Sequence, residues 1–115
     1  MTIQTERVYD QPSTDYGLRV LVDRLWPRGL SKISVKLDEW MKEIAPSNEL
    51  RQWFGHDETK WEEFQKRYFK ELDSHPDLIT QLIQKSHNGK LTLLFAAKDV
   101  EHNNAVALKN YLEKK

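Results

Sequence analysis

The sequence predicts an α/β domain with a central, at least partly parallel sheet of few strands flanked by about five helices. Three observations lead there. Two largely apolar runs, Leu18–Val22 and Leu91–Ala97, lack a clean polar alternation, the pattern of strands buried on both faces. Between them apolar residues recur at three- and four-residue intervals, the period of helices packed through one face. That helical middle is far longer than the dozen or so residues a parallel crossover needs, so the two strands are expected to run parallel with a right-handed connection.

The elements follow in chain order. Residues Ile3–Tyr9 alternate imperfectly and read as a short, partly exposed strand. Residues 10–17 hold Pro12, Ser13, Asp15 and Gly17 and read as a loop, too short for a helical crossover. The first two strands therefore form an antiparallel hairpin or are not neighbours. After Leu18–Val22, Pro27 biases Trp26 away from helix and Gly29 permits a turn with positive φ. Leu37, Trp40, Met41 and Ile44 fall at i, i+3, i+4 and i+7, which predicts a helix beginning near Ser34 and ended by Pro46.

Ser47 is placed to cap a short helix over Asn48–Phe54 that Gly55 stops. Thr59-Lys60-Trp61-Glu62 fits a capping box, with Asp57 as the competing cap. The helix that follows carries Trp61, Phe64, Tyr68 and Leu72 on one stripe. Ser74-His75-Pro76-Asp77 opens another, with Leu78, Ile79, Leu82 and Ile83 inward and Gly89 as its stop. Beyond the strand at 91–97, Asp99 is expected to cap a last helix with Val100, Ala107, Leu108, Tyr111 and Leu112 on its inner face.

Composition narrows the function. The 115 residues suit one domain, 1–115, and one core. Eighteen basic residues balance eighteen acidic ones, which counts against a general nucleic-acid coat and leaves room for a local basic patch. The absence of cysteine removes disulfides, thiolate catalysis and cysteine-ligated metal sites. No apolar stretch approaches the length of a membrane span and no signal-peptide pattern opens the chain, so no membrane and a cytoplasmic location are expected. The dinucleotide fingerprint, the P-loop and the nucleophile elbow are missing, and no cofactor is expected.

Chemistry is expected at the carboxyl ends of the parallel strands. One cluster there is Asp23, Arg24, Trp26 and Arg28, and the other is Lys98, Asp99, His102 and Asn103. The arginine forks and Lys98 suit a phosphate or carboxylate, as do the free N–H groups of a helix opening after Asp99. His102 is the candidate general base, three residues from Asp99 and so on the same helical face; Asp23 and Asp99 are the other candidate catalytic residues, and Asn103 is a candidate positioning group. The structural alternatives are equally concrete: Asp23 pairs with an arginine, Asp99 caps its helix, His102 faces solvent, and Trp26 plugs the core instead of stacking on a ring. His56, Asp57, Asp99 and His102 have no metal-ligand spacing, and no metal is expected.

The blocks Val22-Asp23-Arg24-Leu25-Trp26-Pro27-Arg28-Gly29, Ala45-Pro46-Ser47, Leu50-Arg51, Trp53-Phe54, His56-Asp57, Arg67-Tyr68, Glu71-Leu72, Leu93 to Asp99 and His102-Asn103 resemble the DUF488 family in its short YeaO-like branch, over nearly the whole chain. The resemblance implies a small α/β protein with no established reaction. Some longer relatives carry a cysteine-containing segment near the C-terminus, and thiol chemistry proposed for them does not transfer to a chain without cysteine. The resemblance also adds Ser47, Arg51 and His56 to the candidate ligand-binding residues. The first expectation is thus an enzyme or binding protein for an anionic small molecule. A nucleic-acid-binding or protein-interaction module is the alternative, and the oligomeric state is left open.

Overall fold

In the computed structural model, residues 2–12 and 17–115 are described, and part of the predicted loop, residues 13–16, lies outside them. The strands are β1 (Thr2–Arg7), β2 (Leu18–Leu21), β3 (Glu39–Trp40) and β4 (Lys90–Phe95); the α-helices are α1 (Lys32–Val35), α2 (Asn48–Phe54), α3 (Trp61–Asp73), α4 (Pro76–His87) and α5 (Asn104–Glu113). One sheet forms in the order β1-β4-β2-β3, and every pairing in it is parallel. β2 and β4 are neighbours, with Val20 opposite Leu93. β1 lies on the far side of β4, so the hairpin alternative for the first two strands is removed.

Alternation along the strands builds two cores. Val20, Val22, Leu91, Leu93 and Phe95 join Phe64, Tyr68 and Leu72 of α3, Ile79 and Leu82 of α4, and Ala107, Leu108 and Leu112 of α5. On the opposite face Leu21 and Leu94 join Val8 and Val35, with Trp26, Leu37 and Trp40 packed against them. Each fully buried Leu- or Phe-sized side chain contributes roughly 1.5–3 kcal/mol, so both faces add to stability.

The predicted helix from Ser34 to Ile44 does not form. α1 ends at Lys36, which turns left-handed at φ 54°. The chain then extends as β3 beside β2 and closes with a 3-10 turn at Lys42–Ile44. Asp38 accepts the Arg19 N–H at its Oδ2, and the Met41 N–H donates to the Leu21 carbonyl. A helix would have put Leu37, Trp40, Met41 and Ile44 on one stripe. The extended path sends Met41 and Ile44 to the larger core and leaves Leu37 and Trp40 against the smaller one. The open edge of β2 supplies backbone partners that an isolated helical reading ignores.

The helix stops and starts are mixed. Ser47 caps α2 by accepting the Leu50 N–H, and Gly55 ends it at φ 53°. Asp57, not Thr59, supplies the cap before α3, accepting the Thr59 N–H over a 3-10 turn at Glu58–Lys60. The last helix starts later than expected. Asn103 caps α5 through the Val106 N–H, while Asp99 closes a tight turn by accepting the Glu101 and His102 N–H groups. Val100 consequently sits outside α5 and is exposed.

Candidate functional site

A cleft of about 350 Å³ opens beyond the carboxyl ends of β2 and β4. This is where ligands bind in open parallel sheets, because the chain reverses there and loops diverge from a rigid edge. Residues 23–28 after β2, Ala96 and Ala97 after β4, the Ala45-Pro46 segment, α2 with its following turn, and the start of α5 all line it.

Asp23, just beyond β2, is part of this lining. Its Oδ2 accepts the Ala96 N–H at 2.9 Å, its Oδ1 accepts the Asn104 Nδ2 at 3.0 Å, and its backbone carbonyl accepts the Trp40 Nε1 at 2.7 Å. The same Asn104 amide donates to the Val22 carbonyl, so α5 begins stitched to the end of β2. Burial raises the Asp23 carboxyl above its ordinary value, against the opposing pull of the Asn104 and Ala96 hydrogen bonds and of the Arg51 and His56 charges.

Arg24 also lines the cleft, but two of its guanidinium nitrogens are spent on the chain. Nε donates to the Pro46 carbonyl at 3.3 Å and Nη2 to the Ala45 carbonyl at 3.1 Å. Beneath this segment the buried Tyr68 hydroxyl donates to the Ile44 carbonyl at 2.6 Å, and burial pushes that phenol well above its ordinary value. Ser47 N–H and Oγ both donate to the Glu71 carboxylate, at 2.8 and 2.6 Å. Ser47 therefore anchors α2 to α3 and is not among the cleft's lining residues.

Arg28 and Arg51 are the exposed arginines of the lining, and His56 is exposed in it too. The Arg28 guanidinium has no hydrogen-bond or ion-pair partner among the described residues. Among the described residues the Arg51 guanidinium donates one hydrogen bond, to Asn48 Oδ1 at 3.3 Å. Gly55 and His56 are both left-handed, a sharp turn that leaves the imidazole centroid 6.4 Å from the Phe54 ring. Phe54 and Phe64 stack at 4.3 Å and give the cleft an apolar wall.

Trp26 lines the cleft, yet its indole is tied inward. Nε1 donates to the Leu30 carbonyl at 2.7 Å, and the ring meets Trp40 edge-on at 5.4 Å. These contacts hold the indole against the smaller core while it also lines the cleft. Asn103 is buried in the cleft wall, and its amide is engaged with Val106 N–H and the Asp99 carbonyl.

The second strand-end cluster divides, with Asn103 in the cleft wall and its other members outside the lining. Lys98, Asp99 and His102 do not line the cleft. His102 Nδ1 lies 2.9 Å from Asp99 Oδ2, and its ring meets Trp61 edge-on at 5.4 Å. The Asp99 carboxyl is held below its ordinary value, chiefly by the Glu101 N–H and then by His102. Asp99 and His102 therefore meet each other outside the cleft that Asp23 lines, because the turn at Asp99 carries His102 toward Trp61 of α3. The helix N-terminus expected after Asp99 is also relocated to Asn103–Asn104, beside the Asp23 carboxylate.

Among the described residues, Glu58, Asp99 and His102 bring one potential metal-ligating atom each to within 4.8 Å of one another. Within it Asp99 already accepts from two backbone N–H groups and contacts the imidazole. His56 and Asp57 do not join it.

Asn104, Tyr9, Phe54, Phe64 and the Ala45-Pro46 pair were not among the sequence-predicted site residues. Asn104 carried a signal, since it follows directly on the strand-end cluster. The two phenylalanines did not, because helical spacing reads as core.

The chain belongs to the DUF488 family, in its YeaO-like branch: residues 2–115 match the group described as the inactive DUF488-N3 subclade. It is 43% identical over 112 residues to the uncharacterised protein YeaO of Escherichia coli, covering 97% of each chain. It is 36% identical over 110 residues to the uncharacterised proteins Rv3073c of Mycobacterium tuberculosis and Mb3100c of Mycobacterium bovis, covering 96% of this chain and 92% of each relative. No solved structure matches it. Among the described residues no helix is long and apolar enough to cross a membrane.

Proposed function

We propose that the protein binds a small molecule bearing a phosphate or carboxylate, and that it acts as a binding module and not as a catalyst. The observation that carries the reading is the gathering of Arg28, Arg51 and His56 on one cleft at the carboxyl edge of the sheet. Arg28 has its donors unspent among the described residues and Arg51 has most of its own unspent. A guanidinium offers a planar fork matched to either anion, and an apolar wall lowers the competing hydration.

Two features favour binding over catalysis. The Asp23 oxygens each hold a structural hydrogen bond, and the histidine first considered as a base lies outside the cleft. The description of the matching subclade as inactive agrees with this reading.

The test is isothermal titration of propylphosphonate and butyrate into the wild type and an Arg51→Ala variant, with inorganic phosphate alongside. Saturable binding that weakens in the variant, at unchanged thermal stability, is the expected result. Equal affinities for both proteins would remove Arg51 from the site and the reading with it.

A further inference from the structure

The cleft carries hydrogen-bond acceptors as well as arginines, and the Asp23 side, here called its inner end, is the acceptor side. Asp23 is largely buried, and each of its oxygens accepts one hydrogen bond. A carboxylate offers about four acceptor positions, so about two are left over. Among the described residues no cation lies within ion-pair distance of Asp23, and Arg51 acts on it only through its charge. Asn104 adds to the surplus. Its amide nitrogen serves Val22 and Asp23, while its amide oxygen receives no donor from the described residues. Unfilled acceptors on Asp23 and Asn104 thus line the same cleft as the Arg28 and Arg51 guanidinium groups, with Phe54, Ala96 and Ala97 as apolar lining.

The geometry points to a zwitterionic occupant, a small molecule whose protonated nitrogen lies against Asp23 and Asn104 while its phosphate or carboxylate faces Arg28 and Arg51. The arginine half of this assignment rests on the anion-binding reading above; the inner half is independent of it. An ammonium at Asp23 would fill the open acceptor positions and favour the charged carboxylate that burial disfavours. The order of charge is then alternating, arginine, ligand anion, ligand cation, Asp23, so each ligand group meets its opposite. A purely anionic ligand would satisfy the arginines and leave the inner acceptors facing an alkyl chain, at a desolvation cost.

Three matched probes separate the halves: 3-aminopropylphosphonate, propylphosphonate and propylammonium, titrated into the wild-type protein by calorimetry and by amide NMR. The aminophosphonate is expected to bind about tenfold more tightly than propylphosphonate, the gain of about one charge-assisted hydrogen bond. It should also shift the Ala96 amide resonance, whose N–H is bonded to Asp23, while propylphosphonate should not. In Asp23→Asn the advantage should fall below about twofold, with propylphosphonate affinity retained. Equal binding of the two phosphonates, or an unmoved Ala96 resonance, overturns the zwitterion assignment and leaves the anion reading standing. Binding of neither phosphonate overturns both. Should Asp23→Asn fail to fold, the wild-type affinities and the Ala96 resonance decide by themselves.

Discussion

The Oδ2 oxygen of Asp23 accepts the backbone N–H of Ala96 at 2.9 Å, across 73 residues of sequence. Through this bond the loop leaving β2 is locked to the end of β4. The Oδ1 bond to Asn104 adds the start of α5 to the same junction. Asp23→Ala should therefore leave two donors without their acceptor, at about 1–3 kcal/mol for each one that stays buried. A urea titration should show a lower midpoint at unchanged slope. An unchanged midpoint would mean that water replaces the carboxylate without loss.

The acid–base behaviour of Asp23 should run opposite to that of Asp57 and Asp99. Burial raises the Asp23 carboxyl above its ordinary 3.8, so the native state holds this proton more tightly than the unfolded chain. Its contribution is fully present below 3.8 and is lost as pH rises through the raised native value. Asp57 and Asp99 are lowered by the hydrogen bonds they accept, chiefly from Thr59 and Glu101 respectively, so their contributions are present above 3.8 and vanish as pH falls through the native values. Carboxyl carbon shifts followed by NMR test all three. An Asp23 midpoint below 3.8 would contradict the assignment.

Arg24 and Arg51 should separate stability from binding. Arg24 holds the Ala45 and Pro46 carbonyls, so Arg24→Ala should cost on the order of 1–3 kcal/mol on unfolding. Arg51 is exposed and lightly bonded, and Arg51→Ala should stay within about 0.5 kcal/mol of wild type. Propylphosphonate affinity should fall in Arg51→Ala all the same. The reverse pattern would make Arg51 the structural arginine.

Trp26 should behave as a packing residue. Trp26→Phe removes the 2.7 Å bond to the Leu30 carbonyl and should cost about 1 kcal/mol. Trp26→Ala also removes the contact with Trp40 and should cost on the order of 3 kcal/mol. Thermal denaturation of both variants measures this. Wild-type stability in Trp26→Ala would return the indole to the list of ligand contacts.

Arg19 is 1% exposed within β2, its Nη1 is 3.3 Å from Glu6 Oε1, and its other nitrogens donate to the Val35 and Lys36 carbonyls. Arg19→Ala takes that guanidinium away from a half-buried carboxylate and should destabilise by about 3–5 kcal/mol. A loss below about 1 kcal/mol, read from urea midpoints, would show that the Glu6 charge is solvated without it.

The strand cores, Ser47 at the start of α2 and Gly55 at its end were legible because each depends on a short run of sequence. Leu91 to Phe95 has few choices other than a buried strand, and a serine oxygen reaches a nearby N–H in any context. The Leu37–Ile44 segment was illegible for the opposite reason. Its spacing satisfies a helix, and only the open edge of β2 makes an extended path better. Asp99 shows the same limit at the site: an aspartate caps a helix or closes a turn with equal local chemistry, and the register of α5 chose the turn.

By itself the sequence determined a parallel α/β sheet, and it determined that Asp23, Arg24 and Arg28 leave that sheet together at a strand end. Both depend on periodicity and chain order, which are local or nearly local. Tertiary structure alone decided that Arg51 and His56 line one cleft with Arg28, that Asn104 holds Asp23, and that His102 turns away toward Trp61. Those outcomes depend on how α2, α3 and α5 settle against the sheet, where packing and backbone hydrogen bonds are summed over the whole core and no single stretch of residues contains the answer.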